Sequence, residues 1–204
     1  MSADPTEQSL LRRLETEPGR RERTLQELAV WYRRAGRHQE AIARLEEFCA
    51  ISRDTEGVAV SLLAMGGRAE EVADFVAAVA YYEAALKQNP NAPEVRYFVR
   101  NNLGFSLNQL GRFVEGEACC RTAIPILPER PNAHKNLGLA LAGQGRWREA
   151  AACYVEATRV RPSDPRSCAH LEQLLRDHPG LVAEFGEAAR DGRNAVGTAR
   201  AWAN

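Results

Sequence analysis

A register of thirty-four residues constrains this chain more than any other feature. Asn102-Leu103-Gly104 returns as Asn136-Leu137-Gly138, Leu107 as Leu141, Gly111-Arg112-Phe113 as Gly145-Arg146-Trp147, and Pro128 as Pro162, each pair 34 positions apart. A period of this length marks a supersecondary unit that cannot bury its own apolar face and stacks on its neighbours to do so. In the clearest copy, Pro131 to Asp164, a helical period brings His134, Leu137, Gly138 and Leu141 to one face of a first helix. Ala150, Tyr154 and Ala157 form one stripe of a second helix. The small members let two backbones approach and the large ones fill the space between them. Gly145 suits the left-handed turn that ends the first helix, and Pro162 blocks continuation of the second.

The pattern extends toward the N-terminus. Tyr97 to Arg130 directly precedes the clearest copy. Ala59 to Ala92 carries Met65-Gly66, Asp74-Phe75, Ala78, Tyr82, Ala85 and Pro90 in the matching places. Glu22 to Thr55 carries Leu28-Ala29, Tyr32, Gly36-Arg37, Ala41 and Leu45, but has Phe48 where a small residue is usual and Arg53 where proline is usual. A unit with Leu-Gly in its first helix, Gly-x-aromatic at its turn, Ala in its second helix and a closing Pro resembles the tetratricopeptide repeat, over about two thirds of the chain. The resemblance implies an all-α fold, an α-α superhelix of about four helix-turn-helix repeats with capping helices at both ends.

The expected organisation is an N-terminal capping segment over 1–21, repeats at 22–55, 59–92, 97–130 and 131–164, capping helices over 165–190, and a flexible tail over 191–204. Short insertions, Glu56–Val58 and Pro93–Arg96, separate the first three copies. Leu10, Leu11 and Leu14 give the first segment an apolar side. The tail is Gly- and Ala-rich, with Trp202 as its one large docking residue. Pro125 places a kink or an early end of its helix near Ile124, and Gly116 in that helix lowers its helix propensity by about 1 kcal/mol.

Charge and cysteine content exclude several function classes. A formal net charge of +0 gives no general attraction to nucleic acid or anionic membranes. Lys87 and Lys135 are the only lysines, a bias that a GC-rich bacterial genome explains without an arginine-specific role. The N-terminus has neither the basic nor the apolar region of a signal peptide, and the longest apolar run, Phe75 to Tyr82, is far short of a bilayer span, so a soluble, cytoplasmic protein is expected. Five cysteines without paired spacing make a poor disulfide framework, and no Cys-x-x-Cys or paired histidines offer a metal site. No phosphate loop or nucleophile elbow occurs. His134 and Cys153 share a repeat but read as packing residues, so no catalysis, cofactor or metal is expected.

The face of the first helices turned away from their partners, which lines the concave groove in tetratricopeptide proteins, holds the candidate site. Phe98, Asn101, Asn102, Phe105 and Asn108 fall on it in the third repeat, Lys135, Asn136, Leu139 and Ala142 in the fourth, and Arg166 and His170 in the helix beyond. Carboxamides pair with any peptide backbone, and the apolar members offer side-chain pockets. Asn102 and Asn136 resemble two rungs of the asparagine ladder with which O-GlcNAc transferase repeats grip extended peptides. Asn136, Arg166 and His170 resemble part of the carboxylate clamp of chaperone-binding repeats, but Asn101 stands where Lys belongs and Phe105 where Asn belongs, so that ligand is not expected. On this reading neither Asn102 nor Asn136 belongs to the core. The first repeat instead has a basic entrance, Arg23, Arg33 and Arg34 beside Gln26 and Val30, without the aromatic residues that stack nucleic-acid bases. The expected function is a non-enzymatic adaptor that holds a protein or peptide in the groove, with no membrane insertion and nucleic acid disfavoured. The alternatives are a substrate-binding or regulatory part of an enzyme of the glycosyltransferase or sulfotransferase type, or a self-assembling scaffold.

Overall fold

A computed structural model of the chain describes residues 5–203, with the side chains of 38, 39 and 199–203 outside the description. Trp202 therefore lies outside the described side chains. Among the described residues all regular structure is helical. The chain divides into two compact units, Met1–Val95 and Arg96–Asn204.

The first unit holds α1 (Pro5–Thr16), α2 (Arg21–Arg34), α3 (His38–Ile51), α4 (Thr55–Glu71) and α5 (Phe75–Lys87). α2 pairs with α3 and α4 with α5 as hairpins. Gly66 on α4 approaches α5 so closely that a Cβ there would meet the Tyr82 ring at 2.3 Å. Phe48, large where the repeat usually has a small residue, is 1% exposed and reaches toward Gly57, whose missing Cβ leaves room for the ring. The stretch Glu56–Val58 is the first turn of a lengthened α4, capped by Asp54, which accepts from the Gly57 N–H at 3.0 Å. α1 closes the open end: Leu10 joins Leu28, Tyr32 and Ala41, and the buried Glu7 carboxylate accepts from Arg37 Nη1 at 2.8 and 2.9 Å and from the Tyr32 hydroxyl at 3.0 Å.

The second unit holds most of α6 (Pro93–Gln109), then α7 (Phe113–Ala123), α8 (Pro131–Gly143), α9 (Trp147–Val160), α10 (Pro165–Asp177) and α11 (Val182–Ala203). Pro93–Arg96 is the first turn of α6. A Cβ on Gly138 would meet the Tyr154 ring at 2.5 Å, and one on Gly104 would meet Cys120 Sγ at 2.7 Å, so the same glycine position sets the close approach in both hairpins. α7 ends at Ala123, just before Pro125. Ala142 was expected on an open face; it is half-buried against the core that α10 helps to form, because the next first helix comes in on that side.

The C-terminus departs from the expected short cap and flexible tail. α11 runs unbroken from Val182 through Ala203. Its small residues are the reason. Ala189 and Gly192 are buried, and a Cβ on Gly192 would meet the Thr158 methyl at 2.9 Å, so the glycine that suggested fraying instead permits a close crossing over α9 and α10. Arg148–Glu184 at 2.7 Å and Arg193–Glu172 at 2.6 Å tie the same helix down.

All four hairpin turns share one hydrogen-bond pattern. The N–H groups of Arg37, Asp74, Arg112 and Arg146 donate to the carbonyls of Tyr32, Ala69, Leu107 and Leu141, five residues back, at 2.8 to 2.9 Å. The residue before each donor is left-handed: Gly36, Gly111 and Gly145 at φ of 74 to 75°, and Ala73 at 58°. In the second hairpin an alanine holds a conformation that favours glycine.

Candidate functional site

The face expected to bind a ligand in the second unit is partly consumed by the protein itself. Asn136 on α8 donates through Nδ2 to Asn101 Oδ1 on α6 at 3.1 Å and to the Asn101 carbonyl at 3.4 Å. Asn108 Nδ2 donates to the Asn136 carbonyl at 2.8 Å, and Asn101 Nδ2 to Asn102 Oδ1 at 2.9 Å. The Ala133 N–H donates to the Tyr97 hydroxyl at 3.3 Å, and burial pushes that phenol up to about 12. Asn101, Asn108 and Asn136 are 4%, 7% and 3% exposed. They form a polar seam between consecutive first helices, so Asn136 belongs to the interior, contrary to its expected place outside the core. Helical periodicity put these residues on the correct side of each helix, but that side includes the edge where the next first helix packs.

Gly116 completes the seam. A Cβ there would stand 2.1 Å from Asn108 Oδ1, so alanine, the usual residue at this place, would collide with the carboxamide. The glycine that weakens α7 in isolation makes room for Asn108.

Six of the expected residues remain near the surface of this face, with Phe98 at its edge. Phe98 packs edge-on against Tyr97 at 5.3 Å and beneath the Arg130 guanidinium at 5.6 Å. Asn102, Phe105, Lys135, Leu139 and His170 are half-buried and Arg166 is exposed. Lys135 has no salt-bridge partner among the described residues; burial pushes its ammonium pKa down, the Arg166 charge adds to this, and Asp164 opposes it. His170 stacks on Tyr154 at 5.4 Å, and burial, assisted by Lys135, pushes its pKa down. Asp164 caps α10 and accepts from Arg166 Nε at 3.2 Å; burial alone would raise its pKa, but the hydrogen bonds from Arg166 bring it below the usual carboxylate range. Three basic side chains thus share one buried carboxylate beside the apolar Leu139.

The nucleophile candidates are poorly activated. Burial pushes the Cys153 thiol up to about 11 and Cys120 higher still, while His134 is pushed down by burial. A thiol shifted this way stays protonated at neutral pH.

Sequence reasoning missed the corresponding region of the first unit. Gln26 and Arg33 on α2 and Ala64 on α4 occupy the repeat places of Asn101, Asn108 and Asn136. Among the described residues no such seam forms there. A cleft of about 360 Å³ opens instead, lined by these three and by Val30, Ile42, Leu45, Val60 and Arg68 among others. The signal available in the sequence was Ala64 at the place where the fourth repeat has Asn136.

No helix among the described residues is long and apolar enough to cross a membrane. Comparison with known proteins agrees with the architecture. Family models of the tetratricopeptide repeat match residues 24–59 and 131–164. No curated protein matches the sequence. The fold is similar to that of MamA from Desulfovibrio magneticus RS-1, residues 41 to its end, at 19% identity and a TM-score of 0.70, covering 88% of this chain and 96% of that one. It is also similar to the TPR domain of Arabidopsis OM64, at 23% identity and a TM-score of 0.55, covering 61% of this chain and 98% of that one. Repeated hairpins of one register, their shared turn and the matching repeat models together show that the chain carries tetratricopeptide repeats.

Proposed function

We propose that the chain is a non-catalytic scaffold that binds a partner protein or peptide on the face formed by α6, α8 and α10. The tetratricopeptide fold supports protein binding as the general role. The observation that carries the specific reading is Lys135, half-buried and without a salt-bridge partner among the described residues, with Arg166 and His170 beside it. A partner's carboxylate supplies the counter-charge this cluster lacks, since a desolvated cation gains most from a paired anion. Leu139, Phe105 and Phe98 offer apolar contact, and Asn102 offers a carboxamide. Asn101, Asn108 and Asn136 shape this face by fixing α6 against α8. Five free thiols fit a reducing, cytoplasmic setting.

The test is a photo-crosslinking amino acid at Leu139, with Val114, exposed on α7, as the control position. Crosslinking in host lysate should capture a partner from Leu139. That partner, titrated against the Lys135→Ala, Arg166→Ala double variant, should bind about tenfold or more weakly, the worth of a charge-assisted hydrogen bond. Capture from Val114 alone, or unchanged affinity in the double variant, contradicts the reading.

A further inference from the structure

We propose that the cleft between α2 and α4 binds a single-chain aliphatic carboxylate, its tail between the helices and its carboxylate on Arg33 and Arg68. The cleft of about 360 Å³ lies at the low end of small-ligand sites, which run from roughly 300 to 1,000 Å³. Its walls are mostly aliphatic, with Val30, Val60 and Ala64 from the first helices and Ile42 and Leu45 from α3; Gln26 and Ser61 are the neutral polar lining residues. This small, mostly apolar volume suits one alkyl chain rather than a length of polypeptide. Among the described residues its only charged lining residues are the two arginines. Arg33 is exposed and has no ion pair among the described residues. Arg68 pairs with Glu71 through Nη1, but its Nε is buried with no acceptor among the described residues. An apolar space beside one uncompensated guanidinium and one unsatisfied N–H matches an amphiphile whose polar end is an anionic acceptor, and guanidinium groups suit a carboxylate in both charge and planarity. An alcohol of equal length offers no charge, and an alkylamine meets like charge.

The space itself follows from the repeat register. The same place in the second unit is filled by Asn136 and its partners, so the first unit has space where the second has a side chain. This site uses other helices than the proposed partner face and stands or falls independently of it.

The experiment titrates octanoate and decanoate into the full chain by calorimetry, with methyl resonances of Val30, Ile42 and Val60 followed by NMR. The expected result is saturable binding at one site, shifts at those methyls and none at Leu139, and at least about tenfold weaker binding of 1-decanol. Arg33→Gln, at an exposed position, should weaken decanoate about tenfold with an unchanged melting temperature. Ala64→Phe should abolish binding by filling the cleft. Equal affinity for decanoate and decanol, shifts confined to the second unit, or full affinity in Arg33→Gln overturns the proposal. A peptide ending in a leucine carboxylate that displaces decanoate and binds more tightly would overturn the choice of a free carboxylate in favour of a polypeptide C-terminus.

Discussion

Where α6 meets α8, carboxamides fill the space between consecutive first helices; where α2 faces α4, the same repeat place holds Ala64 and the space stays open. The hairpins on either side are built alike, with a glycine against an aromatic ring in both Gly66–Tyr82 and Gly138–Tyr154. The repeat signature therefore specifies each hairpin, and residues outside the signature decide how one hairpin joins the next. In the second unit that junction is polar and incompletely satisfied, since Oδ1 of Asn108 and of Asn136 are buried without a hydrogen-bond partner among the described residues. Buried amides of this kind contribute orientation more than net stability, because each group left unpaired carries a desolvation cost.

The largest effects should come from the hairpin cores, and they should not distinguish the units. Ala78 and Ala150 occupy the same repeat place and are both fully buried. Ala78→Leu and Ala150→Leu should each cost roughly 1–3 kcal/mol by overpacking, as read by urea denaturation. A large cost for one and none for the other would break the equivalence of the hairpins. Next come the two residues at the twelfth place of the repeat. Asn108→Ala removes the side-chain hydrogen bond to the Asn136 carbonyl and empties the space against Gly116, and should cost about 1–2 kcal/mol. Arg33→Ala, exposed and unpaired, should stay within about 0.5 kcal/mol of the wild type.

A smaller change concerns the turns. Ala73→Gly should stabilise the first unit by about 1 kcal/mol, because it relieves a left-handed alanine. Gly111→Ala should cost a similar amount in the second unit, and melting curves for both variants check the sign. The smallest effect is one of pH. His134 and His170, both in the second unit, have pKa values pushed down by burial. Their neutral forms are favoured by folding, so the unfolded chain takes up protons first as pH falls below about 6.5, and stability is lost from there through the depressed folded values. The melting temperature should fall between about pH 7 and pH 5, and fall less in a His134→Gln, His170→Gln double variant.

Much of this was legible in the sequence. Gly36, Gly111 and Gly145 mark three of the four turns, the spacing of Gly138 and Tyr154 reports their contact, and Pro125 announces the end of α7. The alanine turn at Ala73 was not marked, because propensity argues against the conformation that the shared hydrogen bonds impose. The candidate site was legible as a face but not as a set of contacts. A helical wheel places Asn101, Asn108 and Asn136 on one side of their helices, yet whether a side chain meets solvent or the next helix depends on the register between helices, which one helix does not encode. Gly116 held part of the answer. Taken alone it is a weak helix former; taken with Asn108 it is the space a carboxamide needs. The length of α11 was hidden for the same reason, since Gly192 looks flexible until α9 and α10 lie against it.

Amide hydrogen exchange of Asn136→Ala tests the central claim most directly. The substitution gives the second unit the residue that the first has at Ala64, and removes the donor to Asn101 Oδ1. Protection along α6 and α8 should fall by about 1–3 kcal/mol of opening free energy, the cost of unpairing a buried polar group, while α2 and α4 are unchanged. Lys135→Ala, one residue earlier, should leave protection along α6 unaltered. Equal protection in Asn136→Ala and wild type would show that the amides do not tie these helices together, and would return Asn136 to the open face where its helical position first put it.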